Sequence, residues 1–196
     1  MTNHPSLGAD YFDRVYAAND DPWQFTTSPY EHDKYAATLA ALPNEQYESG
    51  FEIGCSIGVL TQQLASRCRQ LLSVDVSEAA LRQARQRLGG AAQVRIEQMA
   101  VPNTFPDETF DLVVLSEVGY YWSMEDLRKA RQLIIDHLRP GGQLILVHWT
   151  PDVPDYPLTG DIVHDTFLEA TGDGKPLRHL THKREEKYRL DLLMKA

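Results

Sequence analysis

Short apolar segments alternate with amphipathic segments at near-regular intervals between Phe51 and Thr150. This alternation is typical of βαβ units, in which helices connect parallel strands. The segment from Phe110 to Leu115 is apolar enough to indicate a strand covered on both faces. The alternation therefore predicts an α/β fold with a doubly wound, mostly parallel sheet. Five strands are expected, and they end at Ile53, Asp75, Gln98, Ser116 and Trp149.

Helical spacing of apolar residues predicts the segments that connect these strands. Ser77 and Ser123 precede two of the helices and are expected to be their N-caps. The expected helices run over residues 60–67, 78–88 and 124–138.

The two ends of the chain lie outside this alternation. Two helices, over residues 9–18 and 30–42, are expected before the first strand, and an aromatic linker joins them. A proline-rich loop, a helix over residues 161–170 and two more strands are expected after Trp149. The last strand has the alternating pattern of a half-exposed strand, so we expect it to run antiparallel at an edge of the sheet. Its apolar positions are Tyr188, Leu190, Leu192 and Met194.

Composition narrows the classes of function. The net charge of −9, from 19 Lys and Arg against 28 Asp and Glu, opposes binding to phosphate backbones, so no nucleic-acid partner is expected. Two cysteines without paired spacing, Cys55 and Cys68, favour a reducing compartment. No window approaches the roughly 18 apolar residues of a membrane span, and no signal peptide is evident. A cytoplasmic protein without a membrane partner is expected.

A small-residue turn follows the first expected strand. Gly54, Ser56 and Gly58 occur where the strand ends and a helix begins, and such a turn lets backbone approach a ligand. The spacing differs from the G-x-G-x-x-G fingerprint of pyrophosphate binding. Glu52 precedes the turn, and its charge suits a cationic ligand. A tight turn without a ligand is the alternative.

Asp75 ends the second expected strand. A carboxylate at this strand tip can accept both hydroxyls of a ribose. The alternative is a solvated turn acid, or a cap for the helix that follows Ser77.

These residues, with the segment Pro106–Asp111 before the fourth strand, resemble the class I S-adenosylmethionine-dependent methyltransferases. The resemblance covers roughly residues 47–149 and implies a seven-stranded sheet whose order reverses beside the first strand. It also implies that the methionine portion of the cofactor lies against Gly54 and Gly58, the ribose on Asp75 and the sulfonium near Glu117. The cofactor contacts implied by position are Glu52, Gly54, Cys55, Ser56, Gly58, Asp75, Val76, Gln98, Met99, Ala100, Ser116 and Glu117.

The adenine contacts depart from the family pattern. Many members have an aspartate where this chain has Met99, with Gln98 beside it. Met99 is able to stack on the ring and Gln98 to supply an amide, whereas a packed core methionine is the alternative.

The N-terminal segment is similar to that of the NodS-type N-methyltransferases, which methylate an amino sugar at the end of a chitooligosaccharide. The shared motifs are Asp21-Pro22-Trp23-Gln24-Phe25, the helix Tyr30-Glu31 with Lys34-Tyr35, and Glu52-Ile53-Gly54-Cys55. The resemblance implies a helical cap over the cofactor, with contacts from Trp23 and Tyr30; plain core packing of these aromatics is the alternative. One methyltransferase domain is expected over residues 1–196, with the cap at 1–43, the cofactor-binding core at 47–149 and an acceptor-side segment at 150–196.

Two residues are candidates for general acid–base catalysis on the methyl acceptor. Glu117 and His148 follow or end the fourth and fifth strands, where acceptor groups arrive in an open α/β sheet, and either is able to orient an amine and take its proton. A structural role is the alternative for both. Tyr120, Tyr121 and Trp149 are candidates for stacking on the acceptor. His164, His179 and His182 show no common spacing with an acid and are expected at the surface.

The sequence thus predicts methyl transfer from S-adenosylmethionine, with S-adenosylhomocysteine as product. The expected acceptor is a small molecule or oligosaccharide, methylated at an amine nitrogen, and no metal is needed for this reaction. The alternatives are a protein that binds the cofactor without turnover, an O-methyltransferase of a small metabolite, and a dehydrogenase on a similar sheet. The sequence gives no prediction of the oligomeric state.

Overall fold

The strands and helices follow each other much as the sequence predicts. The computed structural model describes residues 4–196, so residues 1–3 of the expected cap lie outside the described residues. In chain order, the elements of the described part are α1 (Ala9–Ala18), α2 (Pro29–Ala41), β1 (Tyr47–Ile53), α3 (Val59–Leu64), β2 (Cys68–Asp75), α4 (Glu78–Arg87), β3 (Val94–Gln98), β4 (Phe110–Ser116), α5 (Met124–His137), β5 (Leu138–Trp149), α6 (Gly160–Leu168), β6 (Leu177–Arg184) and β7 (Tyr188–Lys195).

The seven strands form one sheet in the order β3-β2-β1-β4-β5-β7-β6. The pairs β1–β2, β2–β3 and β4–β5 are parallel, whereas β7 runs antiparallel to both β5 and β6. The order reverses beside β1, as expected. This is the Rossmann-like fold of class I methyltransferases, with two additional helices at the N-terminus.

The described residues divide into two compact units, residues 8–100 and residues 101–196 together with residues 4–7. In the first unit the hydroxyl of Ser77 caps α4 by accepting from the Ala80 N–H. In the second unit Ser123 caps α5 by accepting from the Asp126 N–H. Both N-cap predictions are therefore confirmed, and each cap satisfies a backbone donor that a helix end leaves unpaired. The expectation of a single domain stays a prediction.

Two expectations about the sheet and its helices were wrong. The helix after the glycine turn ends at Leu64, because residues up to Arg67 form a turn that leads into β2. The last strand, β7, lies between β5 and β6 and is not an edge. Its polar residues Arg189 and Asp191 are 8% and 0% exposed, since ion pairs satisfy them inside the structure. The edge strand is β6, in which every residue after Leu177 is exposed.

None of the helices within residues 4–196 has the length and apolar character required to cross a membrane.

Candidate active site

The turn after β1 has an unusual backbone. Gly54, Ser56 and Gly58 all adopt positive φ, at 80°, 51° and 80°. The N–H groups of Gly54 and Cys55 both donate to the carbonyl of Val74, at 2.8 and 2.9 Å. A Cβ at position 58 would lie 3.0 Å from the Cα of Ala84, so both conformation and space favour glycine there. The turn therefore has a left-handed backbone at three positions and is hydrogen-bonded to the end of β2.

Asp75 at that tip is held by backbone donors. Its Oδ2 accepts from the Ser56 N–H and its Oδ1 from the Ser77 N–H, both at 2.9 Å. Burial raises the pKa of the Asp75 carboxyl, although these N–H groups favour its charged form. A third backbone donor, from Val76, also favours the charged form. A carboxylate has about four acceptor positions, so acceptor capacity remains for a ligand hydroxyl such as that of a ribose.

Glu52 is fully enclosed beneath the turn. Its Oε2 accepts from the hydroxyls of Thr61 and Ser73, both at 2.7 Å, and only 2% of the residue is exposed. Burial raises the pKa of Glu52 to about 7. These contacts join β1, α3 and β2 and favour a structural role. A direct contact with the cofactor stays a prediction.

Substitution of Glu52 by glutamine is expected to remove a pH dependence of stability. The native pKa is about 7 against an ordinary value of 4.5, so the native state binds more protons between these values. The stability that protonation contributes is complete below the lower value and is lost as the pH rises through the upper one. We expect the free energy of unfolding of Glu52→Gln, relative to wild type, to be higher at pH 8 than at pH 5 by about 2–3 kcal/mol.

Urea unfolding of both proteins at the two pH values measures this difference. The exposed Glu45 provides a matched control, because Glu45→Gln should follow the wild-type pH dependence. A Glu52→Gln protein whose stability changes with pH as in wild type would contradict the expectation.

The expected adenine residues lie next to Asp75 in the first unit. The Gln98 Nε2 donates to the carbonyl of Val76 at 3.0 Å, and the Met99 N–H donates to the carbonyl of Asp75 at 3.0 Å. Ala100 is exposed and Met99 half-buried. Gln98 therefore uses its amide to tie β3 to the end of β2. Adenine contacts from Val76, Gln98, Met99 and Ala100 stay predictions.

An N-terminal tyrosine that the sequence did not single out contacts the turn. The hydroxyls of Tyr16, on α1, and Ser56 are 2.5 Å apart, and the Tyr16 ring packs against Ile57 and Ala80. Trp23 meets the Tyr16 ring edge-on, with centroids 5.7 Å apart. Helical spacing gives α1 an inward face but does not say which strand or turn that face contacts, so no local signal identified Tyr16.

Tyr30 belongs to a different set of contacts. It lies at the start of α2, and the Lys34 ammonium is 5.1 Å from its ring centroid. A cofactor contact from Tyr30 or Trp23 stays a prediction.

Glu117 follows β4 in a strained conformation. Its φ is +59°, a region that costs non-glycine residues free energy and is concentrated at functional sites. The N–H of Glu117 donates to the carbonyl of Val147 at 2.9 Å. Its Oε2 accepts from the Tyr120 hydroxyl at 2.6 Å and from the Trp149 N–H at 2.9 Å. The second unit therefore brings two other predicted residues, Tyr120 and Trp149, to the half-buried carboxylate of Glu117.

The predicted acceptor aromatics form a cluster with a fourth residue. Tyr120 stacks on Tyr156, with centroids 5.1 Å apart and planes at 17°, and Tyr121 meets the same ring edge-on. Tyr120 and Tyr121 are only 5% and 6% exposed. Burial raises the pKa of the Tyr120 phenol well above its ordinary value, so this group stays a donor to Glu117. Stacking of Tyr120, Tyr121 or the more exposed Trp149 on an acceptor stays a prediction.

His148 is the second candidate acid–base residue, and its ring is fully buried. Its Nε2 accepts from the Gly119 N–H at 3.1 Å, and its Nδ1 lies 3.1 Å from the Nε2 of His164. The Nδ1 of His164 lies 2.6 Å from Asp191 Oδ2. Both ring nitrogens of His148 are thus engaged, which favours a role in positioning the Gly119–Tyr121 turn. A direct catalytic role for His148 stays a prediction.

The expectation of a surface position was wrong for His164, whereas His179 and His182 are exposed as expected. His164 is 0% exposed, and burial lowers its pKa. All three rings contact the carboxylate of Asp191. The spacing along the chain gave no sign of this, because the contacts join α6, β6 and β7.

Comparison with known proteins identifies the family. The family Nodulation protein S (NodS) matches residues 9–153, which is most of the chain. The chain belongs to the NodS family. Nodulation protein S of Rhizobium tropici is 32% identical to this NodS-family chain over 130 residues, which are 65% of this chain and 55% of that protein. The protein of the same name from Bradyrhizobium diazoefficiens is also 32% identical over 130 residues, 62% of its length. The chain thus matches little more than half of these curated relatives.

A solved member of the family shares the whole architecture. The crystal structure of the N-methyltransferase NodS from Bradyrhizobium japonicum WM9, in complex with S-adenosylhomocysteine, is 26% identical to this chain. The match covers 95% of this chain and 97% of that one, with a TM-score of 0.83. The likeness therefore extends past residue 153, where the family match ends.

Proposed function

We propose that this chain is a methyltransferase that uses S-adenosylmethionine and methylates an amine nitrogen of a small molecule or carbohydrate. The anchored Asp75 carboxylate beside the left-handed turn carries the proposal, because it supplies acceptors for a ribose diol at the strand tip. The NodS homologue bound to S-adenosylhomocysteine supports the same cofactor. When bound, S-adenosylmethionine supplies a methyl group already activated by a sulfonium.

The role of the protein is then to orient the acceptor, exclude water and take a proton. Glu117 is the residue proposed to take the proton from the acceptor amine. Tyr120 and the Trp149 N–H hold its Oε2, so the carboxylate is fixed just beyond the end of β4. A carboxylate also attracts an ammonium group, and an amine must lose a proton to present its lone pair.

The N-terminal helices are proposed to cap the cofactor. Tyr16 contacts Ser56 of the turn directly, and Trp23 packs on Tyr16. These contacts lie within residues 8–100, the unit that also contains Asp75. A ligand seated on the turn would therefore adjoin the aromatic segment.

A cytoplasmic location and the absence of a nucleic-acid partner belong to the same proposal. Cys55 and Cys68 are both buried and form no disulfide bond, as is usual in a reducing compartment. The net charge of −9 disfavours nucleic acid.

Calorimetric titration of the protein with S-adenosylhomocysteine and, separately, with NAD tests the cofactor. Saturable binding of S-adenosylhomocysteine alone is expected, whereas binding of NAD alone would indicate a dehydrogenase.

Hydrogen exchange during the same titration should show residues 10–35 protected by the ligand, and equal protection with and without ligand would contradict the cap. Transfer of labelled methyl groups to a panel of amino sugars, alkylamines and their hydroxyl analogues then tests turnover and separates N- from O-methylation.

A further inference from the structure

A cluster of two histidines and one aspartate lies away from Glu117, on the outer strands of the sheet. His179 and His182 belong to the edge strand β6 and Asp191 to β7. The Nε2 of His179 and the Nδ1 of His182 lie 2.7 and 2.8 Å from the same oxygen, Asp191 Oδ1. One ligand atom from each residue lies within 4.8 Å of the other two. Three side chains thus converge on one point.

A β-bulge produces this convergence. Residues three apart in a regular strand point to opposite faces of the sheet. The pairing of β6 with β7 shifts between His179 and Thr181, so His179 faces Leu193 and His182 faces Asp191. Leu193 and Asp191 are two residues apart in β7, so their side chains lie on the same face of the sheet. Residues directly opposite each other in an antiparallel pair also lie on the same face. The extra residue, Leu180, therefore brings both imidazoles to the face of Asp191.

The carboxylate at the centre is held in place. Its second oxygen, Oδ2, accepts from His164 at 2.6 Å and from the Arg189 Nε at 2.8 Å. Metal-binding carboxylates are commonly held in this way by outer hydrogen bonds.

The charged groups around Asp191 pair with one another. Arg189 also pairs with Asp161 and Asp165, and Arg184 pairs with Asp161. The imidazoles are accessible, with side-chain exposures of 30% for His179 and 47% for His182.

We propose that His179, His182 and Asp191 form a binding site for a divalent first-row transition metal such as Zn²⁺. Two imidazole nitrogens and one carboxylate oxygen are ligands that Zn²⁺ takes at about 2.0–2.2 Å, and solvent completes the coordination. On binding, the proton that each imidazole directs at Asp191 Oδ1 moves to its other nitrogen or to water. The two exposed rings reach the metal by small side-chain rotations.

Calorimetric titration of the untagged full chain with Zn²⁺ tests the proposal, and the visible absorption of bound Co²⁺ gives a second readout. One metal per chain is expected. His179→Ala and His182→Ala remove exposed side chains, so both variants should fold. Loss of a residue that only supports a metal ligand typically weakens metal binding by about 10–100-fold, and loss of either ligand should weaken it further. His32→Ala is the matched control, since His32 is an exposed histidine of α2 next to an aspartate, and it should bind as wild type does.

The outcomes separate cleanly. A saturable site lost in both variants and kept in His32→Ala supports the proposal. Absence of binding by the wild-type chain overturns it, and so does affinity that survives in the double variant His179→Ala/His182→Ala.

Discussion

Glutamine in place of Glu117 is expected to slow methyl transfer by roughly 10²–10⁴-fold, the usual effect of losing acid–base assistance. The amide oxygen can still accept from Tyr120 and from the Trp149 N–H, so the strained turn keeps its contacts. What disappears is the negative charge and the ability to take a proton. Initial rates with an amine acceptor, measured across pH, give the effect, and the affinity for S-adenosylhomocysteine should barely change.

Glu125 offers the matched control for this variant. It is an exposed glutamate in the first turn of α5, and Glu125→Gln should retain wild-type rates. If Glu117→Gln also retained wild-type rates at every pH, Glu117 would be a structural residue and the proposed proton acceptor would have to be sought elsewhere.

Alanine in place of Asp75 is expected to weaken S-adenosylhomocysteine binding by about 10–100-fold. Loss of a hydrogen bond to a charged group costs about 1.5–3 kcal/mol, and the ribose diol would lose its acceptors. Alanine also leaves the N–H groups of Ser56 and Ser77 without the carboxylate they donate to. Calorimetry measures the affinity, and circular dichroism establishes that the variant is folded.

Two further variants separate the charge of Asp75 from its support of the turn. Asp75→Asn keeps one acceptor oxygen and should weaken binding less than alanine does. Asp33→Ala changes an exposed aspartate of α2 and should leave the affinity unchanged. Wild-type affinity in a folded Asp75→Ala protein would rule out ribose binding by this residue.

Local patterns were sufficient to predict most of the fold. The strand ends at Ile53, Asp75, Gln98, Ser116 and Trp149 all agree with the structure, because buried parallel strands are continuous apolar runs bounded by turn residues. The caps Ser77 and Ser123 agree because N-capping depends only on a side chain and the next turn of backbone. Asp75 and Glu117 were predictable as site candidates for a similar reason, because each lies at the carboxyl end of a predicted strand, where ligands bind in an open α/β sheet.

Contacts between distant segments were not predictable from such patterns. Tyr16 and Ser56 are forty residues apart, and no periodicity pairs them. The alternation in β7 predicts one exposed face, but Arg189 and Asp191 are buried because Asp161, Asp165 and His164 neutralise or bind them. A polar residue in a strand indicates the solvent face only where no partner of opposite charge reaches it.

The bulge in β6 also has a consequence for the outer edge of the sheet. An edge strand offers unpaired N–H and C=O groups to any second chain, and flat edges invite association through added strands. The register shift between His179 and Thr181 interrupts the regular row of these groups. Arg178, Lys183 and Arg184 place charged side chains along the same exposed strand. A second copy of the chain would therefore meet an irregular, charged edge, which disfavours edge-to-edge aggregation through β6.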